Sequence, residues 1–409
     1  MRIGLVVPHI FMHRDILPHV IFSPGSLAID LAKGLARHGA DVTLFTPGPV
    51  VTGDKSGQLQ NVTADLKLFE AELANRNDSY ISLLKKHPFT FITLARQVQS
   101  EIIASAFAAA NSGELDLVHI YTNEEDIALP FANLCTAPVV FTHHDPFNFL
   151  VRYKNVFPKY PQLNWLSISM SQRTGMPPET NWIANIYHGV DSDIFVTNVP
   201  PHTNKPPAKP YLAYLGRIIE AKGVHLAIRA VLLYNEQNPN KKYTLKIAGK
   251  HYSGHGKDKY WQEVIEPLLK SPDIDYLGHL SNLRDKQEFL SEASALMIPS
   301  IFDEPFGMVT IEALACGTAV IGLDSGAIPE IIKHGITGFV VTKCFLPSDT
   351  NNPAKSALLD DETILHKLAE AIAQLENIDP KDCREDFEKR FTLERMVCGH
   401  LDAYNSVLD

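Results

Sequence analysis

Residues 295–312 read ALMIPSIFDEPFGMVTIE and form the most informative stretch of this chain. The apolar run ALMIPS predicts a buried strand, and the residues that follow it open a helix. Glu304 lies before the predicted helix, and Glu312 lies inside its early turns. A strand followed at once by a helix is the repeating unit of a parallel α/β sheet.

The two glutamates of this stretch flank a predicted helix N-terminus. Such a terminus presents unpaired N–H groups and a positive dipole end, which favour an anion such as a diphosphate. Ionised carboxylates accept hydrogen bonds from neighbouring hydroxyls, so they suit a sugar ring and a ribose. The pattern predicts recognition of a nucleotide-sugar. Acidic residues also gather at helix starts because of the dipole alone, so the pair by itself leaves both interpretations open.

Composition sets the class of protein. The chain has 409 residues, too many for one hydrophobic core, so two domains are expected. Its 45% hydrophobic and 21% charged residues are typical of a globular protein, and a net charge of −10 argues against a general nucleic-acid binder. The five cysteines form no C-x-x-C motif, which indicates reduced thiols rather than disulfides or a zinc site.

Two features bear on location. The run MRIGLVVPHIF predicts a first strand rather than a secretion signal, and no stretch is apolar long enough to span a bilayer, so we expect a cytoplasmic protein. Lys85, Lys86, His87 and Arg96 flank the apolar runs ISLL and FTFITLA. This pattern is typical of a helix that packs on the core and exposes one face to solvent, or of a helix in peripheral contact with the inner face of a membrane.

Strand and helix patterns alternate in two series, which predicts an α/β protein with two Rossmann-like domains. The first domain is expected at 1–197 and the second at 211–391. Between them, the proline-rich segment 198–210 has the composition of a linker. The amphipathic segment 392–409 predicts a terminal helix that packs back toward the first domain.

The ends of strands in the second series carry the chemistry. Arg217 ends the first of these strands and Lys222 precedes the next helix, so both cations can converge on one diphosphate. Plain surface charges are the alternative. Gly249 in IAGK and Leu277 in YLGHL mark two further strand ends that could hold a nucleobase, with a simple tight turn as the alternative at each.

Three motifs carry a family resemblance: GRIIEAKG at 216–223, EPFGMVTIEALACGTAVI at 304–321 and GAIPEIIKHGITGFVV at 326–341. Together they resemble family 4 of the retaining glycosyltransferases. FTHHD and IYHGVDSDIF extend the resemblance thinly through the first half. It implies the GT-B fold, two Rossmann-like domains facing each other across a cleft. It also implies transfer of a hexose-type sugar from a nucleotide-sugar to a hydroxyl acceptor.

The resemblance assigns roles to the donor-side residues. Arg217 and Lys222 bind the diphosphate, Glu304 meets the transferred sugar, and Glu312 meets the ribose diol. The remaining donor-binding positions include the backbone of the helix start and the two candidate nucleobase loops: Gly307, Met308, Val309, Gly249 and Leu277. Arg217, Lys222 and Glu304 are also the candidate catalytic residues of this domain.

In the first domain, the resemblance places a histidine at the end of the strand VVFTHH near the reacting carbon. His144 is favoured for this role over His143, since strand side chains alternate. A buried structural histidine is the alternative, and a metal site with Asp145 is disfavoured because consecutive strand residues diverge. Gly25 marks the acceptor side, where the family often has two glycines and this chain has one.

No D-x-D motif stands in a position matching a donor site, so neither a metal nor another cofactor is expected. The resemblance implies a polysaccharide, a lipid or a small metabolite as acceptor, and no nucleic acid. Two rival functions share the donor site: a nucleotide-sugar epimerase, and a non-catalytic homologue that only binds the nucleotide-sugar.

Overall fold

The computed structural model describes residues 1–20, 22–54, 56–121, 124–197, 210–251, 258–280, 282–343 and 360–409. Two compact units divide the chain. One comprises Met1–His188 together with Leu393–Asp409, and the other comprises Gly189–Thr392. Except for Pro210, the linker predicted at 198–210 lies outside the described residues.

The first unit contains a seven-stranded sheet in the order β3-β2-β1-β4-β5-β6-β7, and every described strand pair is parallel. Its central strands are runs of buried apolar residues, as strands covered on both faces require. The strands are β1 Arg2–Val6, β2 Asp41–Thr46, β3 Leu59–Thr63, β4 Leu117–Tyr121, β5 Val139–Thr142, β6 Asn164–Ser167 and β7 Trp182–Asn185.

Between these strands, the described residues form α-helices. The helices are α1 Ser23–Arg37, α2 Lys67–Arg76, α3 Tyr80–Lys86, α4 Pro88–Asn111 and α5 Val151–Val156.

The second unit repeats the arrangement with six parallel strands in the order β10-β9-β8-β11-β12-β13. Its strands are β8 Tyr211–Leu215, β9 Thr244–Ala248, β10 Ile274–Gly278, β11 Ala295–Ile298, β12 Ala319–Leu323 and β13 Gly338–Val341. Its helices are α6 Val224–Gln237, α7 Glu266–Leu268, α8 Leu283–Ser291, α9 Met308–Ala315, α10 Ile328–Ile331, α11 Asp361–Ala373 and α12 Pro380–Arg390. The prediction of an α/β protein with two parallel sheets is confirmed.

The terminal helix, α13, spans Leu393–Leu408 and belongs to the first unit, where it packs on α1. A Cβ atom on Gly34 of α1 would lie 2.3 Å from Val397 Cγ2. The two helices therefore approach closely because residue 34 has no side chain.

Local sequence explains one helix start and hides one strand. Helix α1 begins at Ser23, because Pro24 is well suited to a first turn. Strand β3 escaped detection because its residues, LQNVT, are largely polar and lie at the sheet edge, where burial does not demand apolar residues.

Buried histidines line one part of the first unit. His119 on β4 has its Nδ1 atom 2.7 Å from the Tyr404 hydroxyl and its Nε2 atom 2.8 Å from Thr142 Oγ1. His400 on α13 bonds through Nδ1 to the Met396 carbonyl at 2.8 Å. All of these rings are buried, so they are held by polar contacts inside the protein rather than by water.

Burial lowers the pKa values of these histidines, since the charged form loses its hydration. The pKa of His143 falls to about 3 and that of His400 to about 4. Burial also holds the pKa values of His119, His144 and His188 well below the ordinary value. The folded state therefore keeps all five rings neutral at neutral pH.

We predict that the protein loses stability as the pH falls from about 6.5 toward 4, because the unfolded chain takes up protons that the folded chain excludes. Each ring contributes on the order of 1 kcal/mol at pH 5.5. Chemical denaturation at pH 7.5 and 5.5 measures the loss, and His400→Gln should reduce it. His366→Gln, which removes an exposed histidine, should not. Equal unfolding free energies at the two pH values would contradict the prediction.

Candidate functional site

The candidate donor site lies where the strand order of the second sheet reverses. β8 pairs with β9 on one side and with β11 on the other, so the loops after β8 and β11 begin side by side at the same edge of the sheet. In parallel α/β sheets, ligands bind at such a switch point beyond the carboxyl ends of the strands. The loop after β8 carries Arg217 and Lys222, and the loop after β11 carries Glu304.

Backbone hydrogen bonds tie these two loops together. The Ala221 carbonyl accepts from the N–H groups of Ile301 at 2.9 Å and Phe302 at 3.0 Å. Gly223 has a φ of +66°, and a Cβ atom there would lie 1.9 Å from the Pro299 carbonyl oxygen. Only glycine permits both this backbone conformation and this approach, so the GRIIEAKG motif ends in glycine for a structural reason.

Lys222 and Glu304 form an ion pair across the switch point. Their Nζ and Oε1 atoms are 2.5 Å apart, and Glu304 is only 5% exposed. The ammonium also lies 5.5 Å from the centre of the Phe302 ring. The structure therefore brings together two of the predicted site residues, with the lysine compensating the charge of the buried carboxylate.

The loop that holds Glu304 is braced from two further elements that sequence reasoning missed. Lys343, just after β13, donates from Nζ to the Ile301 carbonyl at 3.1 Å and to Ser325 Oγ at 2.9 Å, and it pairs with Asp303 at 3.0 Å. The Ala327 N–H donates to the Glu304 carbonyl at 2.8 Å. No short sequence motif could link Lys343 to this loop, because the contact depends on tertiary folding.

Helix α9 begins at Met308, with Gly307 as its N-cap at a φ of +102°. Met308 and Val309 occupy the first turn, where N–H groups have no acceptor within the helix. Glu312 lies one turn further on and is buried. As predicted, Glu304 precedes the helix and Glu312 lies inside it.

Glu312 has a partner that sequence reasoning missed. Lys286 on α8 places its Nζ atom 2.5 Å from Glu312 Oε1. Glu304 and Glu312 thus each form an ion pair with a lysine, since Lys222 contacts Glu304 in the same way. The signal in sequence is weak: Lys286 lies in the polar stretch NLRDKQE, where a lysine is usually a solvent-facing residue.

Arg217 is exposed, in contrast to the two paired lysines. Its backbone is fixed, since the Tyr214 hydroxyl donates to the Arg217 carbonyl at 3.0 Å. The arginine thus stands on an ordered turn at the same sheet edge as Lys222. Its role in binding phosphate stays a prediction.

The candidate nucleobase loops lie beside β8. A Cβ atom on Gly249 would lie 1.9 Å from the Gly216 carbonyl oxygen, so the loop after β9 packs directly on the loop after β8. Leu277 near the end of β10 is 43% exposed. Next to it, the Trp261 ring stacks on His251 with centroids 4.2 Å apart and contacts Tyr276 at 5.0 Å. Sequence reasoning missed this aromatic stack.

In the first unit, the two consecutive histidines after β5 have different surroundings. His143 packs among aromatic rings, with centroids 4.9 Å from Phe147 and 4.7 Å from Phe157. The His144 ring stacks on His188 with centroids 5.2 Å apart and an interplanar angle of 11°. The sequence analysis assigned no role to His188.

Gly25, the predicted acceptor-side residue, is buried in the first turn of α1. A Cβ atom there would lie 2.7 Å from Met12 Sδ and 2.8 Å from Phe22 Cδ1. Packing alone therefore accounts for glycine at this position, and its acceptor role stays a prediction.

A charged cluster that the sequence did not reveal lies beyond β1 and β4 of the first sheet. Arg96 contacts Glu124 at 3.0 Å, and Arg152 lies 3.6 Å from both Glu124 and Asp126. Burial lowers the pKa of the adjacent His9 to about 4. Each arginine thus has carboxylate partners within the cluster.

Within the described ranges, one group of side chains could ligate a metal ion: His38, Glu394 and Cys398. The His38 Nε2 atom is 2.8 Å from Glu394 Oε1, and hydrogen bonds to Gly34 and Glu394 raise the pKa of His38. This geometry is that of a surface ion pair. No helix in the described part of the chain is long and apolar enough to cross a membrane.

Residues 196–384 match the family Glycosyl transferases group 1. This span covers most of the second unit and contains both lysine–glutamate pairs, so the family resemblance is confirmed at the level of group 1.

A curated relative and two solved structures are similar to the chain. Alpha-maltose-1-phosphate synthase of Mycobacterium tuberculosis (strain CDC 1551 / Oshkosh) is 29% identical over 171 residues, which are 40% of this chain and 43% of that protein. The alignment thus spans less than half the length of that relative. Sucrose-phosphate synthase (tll1590) from Thermosynechococcus elongatus superposes with a TM-score of 0.69 and 17% identity, covering 100% of this chain and 99% of that one.

The second structure is Anabaena Alr3699/HepE in complex with UDP and glucose, with a TM-score of 0.62 and 18% identity, covering 99% of this chain and 100% of that one. Both structures match over nearly the whole chain, and the predicted GT-B fold is confirmed.

We predict that Gly223→Ala destabilises the protein more than Gly335→Ala. Both glycines have positive φ, which costs an alanine about 1–2 kcal/mol. At position 335 a Cβ atom meets nothing within 4 Å, whereas at position 223 it meets the Pro299 carbonyl. Thermal or urea unfolding of both variants measures the difference. Equal losses of stability would show that the approach of the two loops is not as close as described.

Proposed function

We propose that this protein is a glycosyltransferase that moves a hexose-type sugar from a nucleotide-sugar to a hydroxyl acceptor, with retention of configuration and without a metal ion. The observation that carries the proposal is the pair of lysine–glutamate contacts at the switch point, on either side of the α9 N-terminus. They lie within the residues that match Glycosyl transferases group 1. A structural relative with the same fold was solved with UDP and glucose, which supports a nucleotide-sugar donor.

In this proposal, the donor diphosphate lies against Arg217, Lys222 and the N–H groups at the start of α9. These groups bind most strongly when negative charge gathers on the departing diphosphate, so they lower the barrier to transfer. Glu304, held by Lys222, accepts hydrogen bonds from hydroxyls of the transferred sugar. Glu312 accepts from the ribose, and the loops at Gly249 and Leu277 receive the base.

Retention follows if the acceptor attacks from the side on which the diphosphate leaves. The bond from the anomeric carbon to the phosphate oxygen breaks, the bond to the acceptor oxygen forms, and the acceptor proton passes to the departing phosphate oxygen. Glu304 then positions the sugar and forms no bond to it. Since the cationic side chains and the helix supply the positive charge, turnover should persist in EDTA.

On the acceptor side, His144 and Gly25 remain the proposed residues of the first unit. A polysaccharide, a lipid and a small metabolite all provide the hydroxyl that the reaction needs.

The function is tested by thermal-shift measurements against a panel of nucleotide-sugars, followed by incubation with the stabilising donor. A bound donor raises the melting temperature by mass action. Transfer to an added acceptor supports the proposal. A new sugar nucleotide formed without acceptor would identify an epimerase, and binding without any turnover would identify a non-catalytic homologue.

We predict that Arg217→Ala and Lys222→Ala each lower kcat by about 10²–10³, since an electrostatic contact to a leaving group contributes roughly 2–4 kcal/mol. Arg217→Ala is the cleaner variant, because Lys222→Ala also leaves Glu304 without its cation. Lys270→Ala removes an exposed lysine of the same unit and serves as the control. Steady-state kinetics at saturating donor measure the effect, and near-wild-type rates in Arg217→Ala would remove that residue from the diphosphate site.

We also propose that the protein is cytoplasmic and contacts a membrane peripherally. Leu68, Phe89 and Ile92 on α2 and α4 are exposed apolar side chains, and the neighbouring helix α3 ends in Lys85 and Lys86. We predict that the protein co-sediments with vesicles containing phosphatidylglycerol and that Phe89→Ser, which changes an 87% exposed ring, weakens this binding. Equal recovery of protein with and without vesicles would refute the proposal.

A further inference from the structure

Lys286 contacts only one of the two carboxylate oxygens of Glu312. Glu312 has an 8% exposed side chain, and its Oε1 atom is 2.5 Å from Lys286 Nζ. Its Oε2 atom is buried and has no hydrogen-bond partner among the described residues. A buried carboxylate oxygen with no donor is costly, so its presence indicates a group that supplies one.

Lys286 is itself held in place by its surroundings. Its ammonium lies 5.8 Å from the centre of the Phe195 ring, and the Phe195 carbonyl accepts from Arg384 at 2.6 Å. The next residue on α8, Gln287, donates to the Val196 carbonyl at 3.2 Å. The helix that carries the lysine is therefore anchored to the segment beside it.

The helix that carries Lys286 is also fixed against the helix that carries Glu312. The Thr318 hydroxyl donates to the Leu290 carbonyl of α8 at 2.7 Å, and Cys316 Sγ lies 3.9 Å from the Gln287 carbonyl. Both contacts come from residues just after α9. The spacing of α8 and α9, and with it the spacing of Lys286 and Glu312, is thus set by the fold of the unit.

We infer that Lys286 is a positioning residue for recognition of the donor ribose, an inference that rests on the proposed function. The ammonium fixes one carboxylate oxygen of Glu312, which leaves Oε2 to accept hydrogen bonds from the ribose hydroxyls. Lys286 does not touch the reacting atoms. Its effect is that the site prefers a ribonucleotide to a 2′-deoxyribonucleotide.

The test compares binding of UDP, ADP and GDP with binding of their 2′-deoxy counterparts, by calorimetry. For the nucleotide that the wild-type protein binds, we expect a preference for the ribo form of about tenfold or more, as for a hydrogen bond to a charged group. Lys286→Met keeps an unbranched side chain but removes the charge, and it should lose most of this preference. Glu312→Gln should lose it as well.

Three controls separate positioning from general damage. Arg284→Met removes an exposed charge from the same helix and should keep the ribo preference. Lys286→Arg restores the charge and should recover the preference at least in part. Inorganic diphosphate has no ribose, so its affinity should be the same for the wild-type protein and for Lys286→Met. If Lys286→Met does not fold, Lys286→Gln replaces it in the comparison.

The possible outcomes are distinct. An unchanged ribo preference in a folded Lys286→Met or Lys286→Gln overturns the inference while the proposed function stands. A wild-type protein that binds ribo and deoxy forms equally removes the ribose role of Glu312, and the inference with it. A wild-type protein that binds no nucleotide of the panel and no nucleotide-sugar refutes the proposed function itself.

Discussion

The site of this protein depends on the contact between the loops after β8 and β11. The Ala221 carbonyl accepts two N–H groups from the facing loop, and Gly223 leaves no side chain between the loops. This contact brings Lys222, which follows the first strand of the sheet, to Glu304, which follows the fourth. Without it, a buried carboxylate would lack its cation, and burying an unpaired charge is strongly unfavourable. The glycines of the motifs thus permit the close approach that the ion pair requires.

The sequence patterns predicted the strand, loop and helix of the site better than they predicted which charged side chains form ion pairs. The strand, loop and helix around Glu304 and Glu312 follow from local patterns, because apolar runs and glycines act over a few residues. Lys286 and Lys343 could not be recognised in the same way. Their partners lie 26 and 40 residues away along the chain, and only the parallel sheet brings them together. The contact between the buried histidines His144 and His188 is a similar case. It forms only when the strands that precede them, β5 and β7, take their places in the sheet.

The two sheets share a strand order but carry different polar groups at their carboxyl edges. The second has lysine–glutamate pairs beside a helix N-terminus, and the first has buried neutral histidines and an arginine–carboxylate cluster. A strand order alone therefore does not specify a ligand. The side chains at each switch point do so, and the nucleotide-sugar site that we propose for the second unit rests on them.

The contacts of Lys343 affect the order in which the parts of the second unit fold. This lysine follows the edge strand β13, yet it holds a loop that precedes both β12 and β13 in the chain. The loop around Glu304 can gain this support only after β13 has docked on β12. The central part of the sheet can thus assemble before its binding loop is complete, and the ability to hold a ligand should be among the last properties that this unit acquires as it folds.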